Sequence, residues 1–172
     1  MGAQEQGANA TQGRWLVIPR TLCFLVNGDD VLLMKRAPTK RVFPNRYNGV
    51  GGHIERYEDP LTSARREIEE ETGINAGKLT LRAMYNIDTG EKTGIMLYVF
   101  VGLLETRQTR DDCAEGTLHW IPIAELDRYD LVEDLPHILP RILDGDTAPW
   151  FVHVSYDSDD RIVMRFAEED AE

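Results

Sequence analysis

Cysteine is scarce in this chain. The two present, Cys23 and Cys113, lie far apart, with no CxxC spacing and no histidine at zinc-ligand intervals. That leaves no disulfide framework and no thiolate metal site, and points to reduced thiols in a reducing, cytoplasmic setting. Basic charge is also in deficit: 19 Lys and Arg stand against 30 Asp and Glu, a formal net charge of -11. Such a surface repels the backbone of polymeric nucleic acid and an anionic membrane alike. A phosphate-bearing ligand must therefore be small or metal-neutralised. Long apolar runs are missing too. The longest, Ile95 to Leu104, is about half of what a membrane-spanning helix needs and is rich in strand formers, so it reads as a buried strand. The first 13 residues hold no basic region followed by an apolar stretch, which excludes an export signal and makes the acceptor-like Asn9-Ala10-Thr11 a chance match.

What is present fits one domain. The 172 residues, 42% apolar and 28% charged, suffice for a real core. Residues 1–14 read as a disordered lead and 15–172 as a single domain without repeat or linker. Thr21 to Val26 and Val31 to Met34 are short apolar runs around Asn27-Gly28-Asp29-Asp30, a hairpin pattern. Residues 36–52, rich in Pro, Gly, Asn and basic side chains, form an irregular connection. Leu79 to Ile87 and Gly94 to Leu104 read as longer strands and Thr117 to Ile121 as a short one, with Pro122 opening a helical stretch. Leu135 to Leu143 reads as a helix interrupted by Pro140, and the C-terminal part as two strands around Asp157 to Asp160. Strands on both sides of a central helix give an α+β domain, a layered mixed sheet rather than a regular βαβ repeat.

That central helix is densely acidic. Asp59 is a fitting N-cap, Pro60 suits the first helical position and Gly73 the left-handed C-terminal cap, so the helix runs from about Pro60 to Thr72. Leu61, Ala64 and Ile68 make an apolar stripe that should pack on the sheet. Glu67, Glu70 and Glu71, three and four apart, then converge beside that stripe, at the edge of the core. Three such carboxylates repel strongly unless cations intervene. All-oxygen ligation points to Mg²⁺, with Mn²⁺ as a substitute, both of which share their coordination with substrate phosphates.

From Gly52 onward the spacing is Gly52, five residues, Glu58, seven residues, then Arg66-Glu67-Ile68-Glu69-Glu70-Glu71-Thr72-Gly73-Ile74. This resembles the complete Nudix box, the signature of hydrolases that cleave a diphosphate linked to another moiety. The resemblance implies an α/β/α sandwich around a mixed sheet. It implies metal binding by Glu67, Glu70, Glu71 and the Gly52 carbonyl, an orienting role for Arg66 and a structural one for Glu58. Whether Glu70 or Glu71 takes the proton of the attacking water stays open.

Two flanks resemble the MutT-like branch, which hydrolyses purine and oxidised purine nucleoside triphosphates. Arg46-Tyr47-Asn48-Gly49-Val50-Gly51-Gly52 is similar to its RWNGxGG segment, which makes Asn48 a candidate base reader beside the reading of Asn48-Gly49 as a plain turn. Glu115 to Pro122 and Leu131 to Pro140 are similar to its EGxLxWxP and LWEGDxxFLP segments, which adds Trp120, Glu133 and Asp134 as candidates for substrate contact. Val132 stands where that branch commonly has an aromatic, and His53 where it often has Lys. Trp120 is equally a core residue, and the four histidines read as structural. Arg36 and Arg46, with Lys35, Lys40 and Arg41, could clamp a triphosphate. The resemblance thus implies a small-molecule nucleotide substrate, hydrolysed to a nucleoside monophosphate and pyrophosphate by a monomer or homodimer. ADP-ribose or a dinucleoside polyphosphate is the alternative substrate, and a catalytically silent ligand sensor the alternative class.

Overall fold

A computed structural model of the chain describes residues 3–8, 11–110, 113–144 and 148–167. Asn9 and Ala10 of the acceptor-like tripeptide lie outside them. The strands are β1 (Leu16–Asn27), β2 (Asp30–Arg36), β3 (Tyr47–Asn48), β4 (Leu79–Ile87), β5 (Thr93–Leu103), β6 (Gly116–Pro122), β7 (Trp150–Tyr156) and β8 (Ile162–Phe166). The helices are α1 (Pro60–Thr72) and α2 (Leu135–Leu143), with 3-10 turns at Ala3–Gln6 and Ile123–Arg128. The strands form one mixed sheet in the order β3-β2-β1-β5-β4-β7-β8, with β6 paired to β2. β1 with β5 and β4 with β7 are parallel, and the remaining pairs are antiparallel.

Alternation along the strands divides the core in two. Leu22, Phe24 and Val26 of β1 pack with Leu135, Ile138, Leu139 and Ile142 of α2. Cys23 and Leu25 turn the other way, to Ala64 and Ile68 of α1. Helices on opposite faces of one sheet give the expected α/β/α sandwich. α1 has the predicted limits because its ends are written locally. The Asp59 carboxylate accepts from Leu61 and Thr62 N–H, Pro60 opens the helix, and Gly73 at φ 73° closes it with its N–H on the Glu69 carbonyl. α2 runs through Pro140 to Leu143.

β1 is longer than expected. It begins at Leu16 and includes Pro19, since its first half pairs with β5 along one edge, and on the other the Pro19 carbonyl accepts from Ile54 N–H although its nitrogen has no hydrogen to give. β1 and β2 pair only at the hairpin end, Leu25 to Asn27 against Asp30 to Leu32, and then separate. The strip from Tyr47 to His53 enters the gap. It pairs first with β2, Asn48 opposite Met34, and then with β1, Val50 opposite Cys23 and His53 opposite Arg20. Cys23 and Val50 exchange N–H···O bonds of 2.7 and 3.1 Å, and Thr21 N–H donates to Gly52 O at 2.8 Å. The glycines are what let it fit. A Cβ on Gly49 would stand 2.7 Å from the Cys23 carbonyl oxygen, and one on Gly51, at φ 150°, 2.3 Å from that of Thr21.

Candidate active site

The inserted strip lays Gly51 and Gly52 across the inner flank of α1. Gly51 N–H donates to Glu71 Oε2 at 3.0 Å, and Gly52 lies so close to Glu67 that a Cβ there would meet Oε1 at 2.4 Å. The glutamates are consequently unequal. Glu71 is 8% exposed and the Glu67 side chain 14%, whereas the Glu70 side chain is 59% exposed. The sequence expectation of three carboxylates at the core edge thus holds for two of them and is corrected for Glu70, which stands on the solvent side. Burial pushes the Glu71 carboxyl up to about 7, the Gly51 N–H opposing and the Glu67 charge adding to the rise. The buried Cys23 thiol beneath them is likewise pushed up, by burial first and then by Glu71 and Glu67.

Arg66 organises the outer flank. It grips Glu58 with both arms, Nη2 to Oε1 at 2.6 Å and Nε to Oε2 at 3.1 Å, while Nη1 donates to Glu67 Oε1 at 2.9 Å and to Glu70 Oε2 at 3.1 Å. Nη2 also donates to the His53 carbonyl, tying α1 to the strip. These bonds hold Glu58 down to about 2. Lysine cannot reproduce a planar fork reaching three carboxylates. Arg66→Lys is expected to lower kcat/KM by roughly 10–100-fold with a small change in Tm, read by steady-state kinetics and thermal unfolding.

The donor set suits a hard divalent cation: one buried and one largely buried carboxylate side by side, the buried one driven toward protonation by its surroundings, a third on the solvent side held by Arg66, and no sulfur or imidazole among them. Gly52 O already accepts from Thr21 N–H, which leaves it one lone pair. As they stand, with Arg66 on Glu67 and Glu70, no three Asp, Glu, His or Cys side chains among the described residues are in position to hold a metal ion. Cation binding at this site would draw the carboxylates away from the arginine.

The other candidate residues divide by position. Asn48 is on β3, and its Oδ1 accepts from Gly49 N–H at 2.8 Å, which leaves its amide nitrogen to donate. Arg46 Nη1 bonds Glu133 Oε1 at 3.1 Å, so the strip is anchored to the start of α2 at one end and to Glu71 at the other. Arg36 donates to the Val42 carbonyl and lies 4.0 Å from Glu115, to which Lys40 bonds at 2.6 Å. Trp120 lies opposite Leu32 and packs with the α1 core. Its Nε1 donates to the Arg107 carbonyl, and the Arg107 guanidinium stacks 5.7 Å from the ring centre. Trp120 is therefore not brought together with Glu133 and Asp134, which precede α2 on the opposite face of the sheet. Val132, where an aromatic would be common, is buried in the α2 core.

Asp134 occupies the N-cap position of α2 but makes no capping bond, and burial pushes its carboxyl up to about 6. An ordinary Asp titrates near 4. Between about pH 4 and 6 the folded chain thus binds more protons at this group than the unfolded one, and stability contributed there falls as pH rises. Asp134→Asn is expected to raise Tm by a few degrees at pH 7 and to leave it unchanged near pH 3.5; equal shifts at both would show that the charge is not the cause.

Two basic residues were not legible as candidates. Arg20 on β1 has a buried Nε without a partner, and desolvation and the Arg36 charge lower its pKa. Arg110 donates to Glu70 O and, with Arg66, Glu69, Glu70 and Gly73, lines an open cleft of about 410 Å³ at the end of α1. Neither carries a local pattern; only the pairing of distant segments places them.

The NUDIX domain family matches residues 17–142, most of the chain, and the chain belongs to that family. It is a hydrolase acting on pyrophosphate bonds, of a family whose members act on small nucleotide substrates and generally use a divalent metal. It is 28% identical over 131 residues to the uncharacterised Nudix hydrolase YvcI of Bacillus subtilis, covering 73% of this chain and 78% of that one. Among solved structures, a mutator MutT protein from Bacillus halodurans shares the fold at a TM-score of 0.75 and 23% identity, over 88% of this chain and 98% of that one. The NUDIX domain of Shewanella oneidensis NrtR, complexed with ADP ribose, shares it at 0.63 and 16%, over 82% and 96%. No helix among the described residues is long and apolar enough to cross a membrane.

Proposed function

We propose that the protein is a Mg²⁺-dependent pyrophosphohydrolase of purine nucleoside triphosphates, 8-oxo-dGTP among them, releasing a nucleoside monophosphate and pyrophosphate. One observation carries the reading. The strip that resembles the MutT-like RWNGxGG segment bonds Glu133, beside Asp134, at Arg46, and bonds Glu71 at Gly51. Five residues of chain reach at most about 17 Å, so the base-reading candidates and the acidic helix lie within one elongated ligand's span.

Within that reading Glu67, Glu70 and Glu71 hold the metal, with the free lone pair of Gly52 O. Where bound, the cation neutralises polyphosphate charge and acidifies a coordinated water. Of the two candidates for the base, Glu70 is exposed and tied to Arg66. Glu71 is buried beside Glu67 and has one oxygen, Oε1, not engaged by Gly51. That free oxygen supports Glu71 over Glu70 as the group that takes the proton. Arg36, Arg46 and Arg20 supply positive charge for the phosphates, and a polyphosphate between Arg20 and Arg36 would relieve their mutual repulsion.

The test is a phosphate-release screen with pyrophosphatase and Mg²⁺ over dNTPs, 8-oxo-dGTP, ADP-ribose and diadenosine polyphosphates, with Glu67→Gln as the blank. A purine triphosphate is expected to lead by tenfold or more in kcat/KM, about 1.4 kcal/mol of transition-state discrimination. A lead for ADP-ribose or a dinucleotide would refute the substrate while leaving the family chemistry in place.

A further inference from the structure

The last turn of α1 is an unfavourable place for the charges it carries. Glu69, Glu70 and Glu71 stand at the end of a helix whose terminal carbonyls already concentrate negative partial charge, and α1 has no basic side chain of its own in that turn. Such ends fray unless their carbonyls are met. Two are met locally: Ile68 O accepts from the Thr72 hydroxyl at 2.6 Å and Glu69 O from Gly73 N–H at 2.9 Å. Two more are met from another part of the chain, 40 residues beyond Glu70. Glu70 O accepts from Arg110 Nη1 and Thr72 O from Arg110 N–H, both at 2.8 Å. The stretch that brings Arg110 there is strapped to the sheet. Leu104 N–H donates to Val26 O, and Asn27 Nδ2 to Leu104 O, at 2.8 Å each. Arg107 then grips the β1–β2 hairpin, with Nε on Asn27 Oδ1 at 2.7 Å, Nη2 on Asn27 O at 3.2 Å and Nη1 on Asp30 Oδ2. Trp120 seats it from below, with the indole N–H on Arg107 O and the ring against the guanidinium. Arg110 follows three residues later, a reach of at most about 10 Å.

We propose that Arg110 is a positioning residue for hydrolysis, fixing the turn from which Glu70 and Glu71 project, and that Arg107, seated on Trp120, acts through it. This rests on the reading of Glu67, Glu70 and Glu71 as the metal-binding carboxylates and deepens it with residues outside the acidic helix. Glu71 is steadied from in front by Gly51 N–H. Glu70 is exposed, and its carboxylate is held by Arg66, a bond that a cation taking Glu70 has to break. From then on the direction of that carboxylate depends on its backbone, which Arg110 holds by two hydrogen bonds. The same guanidinium supplies the positive charge that the helix lacks at its negative end. It also explains what Trp120 does on the α1 side of the sheet, away from Glu133 and Asp134: it seats the strap.

Three measurements on wild type, Arg110→Ala, Arg110→Lys, Arg107→Ala and the double alanine variant decide it: steady-state kinetics with dGTP and ADP-ribose, Mn²⁺ titration of the substrate-free protein by electron paramagnetic resonance, and melting. Arg110→Ala is expected to lower kcat roughly tenfold on whichever substrate is turned over, with KM changed less than about twofold, and to weaken Mn²⁺ about fivefold. Tm should fall by no more than about 2 °C, since the side chain is exposed. Arg110→Lys keeps a charged donor and should stay within about threefold of wild type in kcat. Arg107→Ala should lose part of the same factor, and the double variant should be no slower than Arg110→Ala alone, because both changes remove one effect. Losses that multiply in the double variant overturn the assignment, since the two arginines then act separately. A loss carried by KM also overturns it, marking a substrate contact, as does a loss that lysine does not recover or an Arg110→Ala protein with the kcat and Mn²⁺ affinity of wild type. Failure of the underlying reading looks different: Glu67→Gln would bind Mn²⁺ as tightly as wild type, and the positioning role would fall with the site.

Discussion

Glu71→Gln is expected to lower kcat/KM by about 10³-fold and, in metal-free buffer at pH 8, to raise Tm by a few degrees. Both effects follow from where the side chain sits. Glu71 is buried under Gly51, near the charge of Glu67, and its carboxyl is raised to about 7 by desolvation. The unfolded chain ionises it near 4.3, so between about pH 4 and 7 the folded protein binds the extra proton and loses stability as pH rises. Glutamine keeps the acceptor for Gly51 N–H and removes the charge. The gain in Tm should therefore be present at pH 8 and vanish by pH 4. Activity moves the other way, since a neutral amide is a poor ligand for a hard cation and no base; a loss of several kcal/mol in transition-state stabilisation corresponds to about three decades in rate. Turnover near that of wild type, with folding intact, would remove Glu71 from the chemistry.

Gly51→Ala and Gly52→Ala should separate the fold from the site although the residues are adjacent. At Gly52 the added Cβ would approach Glu67 Oε1 at 2.4 Å and Cδ at 2.7 Å, the far end of a flexible side chain. The carboxylate can swing aside, so Tm should hardly change. A displacement of about 1 Å at a metal-binding oxygen is expected to lower kcat/KM by roughly 10²-fold. At Gly51 the Cβ would meet the carbonyl oxygen and carbon of Thr21 at 2.3 and 2.9 Å, at a φ of 150° that side chains avoid. Backbone has to move inside the sheet, at a cost of roughly 3–5 kcal/mol, which for a chain of this size lowers Tm by about 10 °C or more. Kinetics and melting on the two proteins suffice. A stable but inactive Gly51→Ala, or an unfolded Gly52→Ala, would contradict the placement of the strip.

The acidic helix could be read from sequence because its determinants are local. Asp59, Pro60 and Gly73 fix its ends within the helix and its immediate neighbours, and the spacing of Glu67 and Glu71 puts both on one flank. Glu70 shows where that reasoning stops. It lies about 60° round the helix from Glu67 on one side, and Glu71 about 40° on the other. Which flank is covered depends on the strip from Tyr47 to His53, whose insertion between β1 and β2 no local pattern announces. The start of β1 was hidden for a similar reason. Leu16 to Arg20 owe their strand conformation to β5, far along the chain, and a proline in their midst argues against it.

The parallel pairing of β1 with β5 runs for eleven residues, from Leu16 opposite Thr93 to Val26 opposite Leu103. Everything that makes the acidic site, the strip, α1 and its glutamates, is strung on the loop that this pairing closes. During synthesis, α1 can coil as soon as it emerges, but Cys23 and Thr21 have only one edge to offer the strip until β5 arrives to hold the other. Closing a loop of that length is slow compared with forming a helix or a hairpin. A nascent chain ending before about residue 103 would carry the full set of glutamates without the β1–β5 pairing that backs the strip against them.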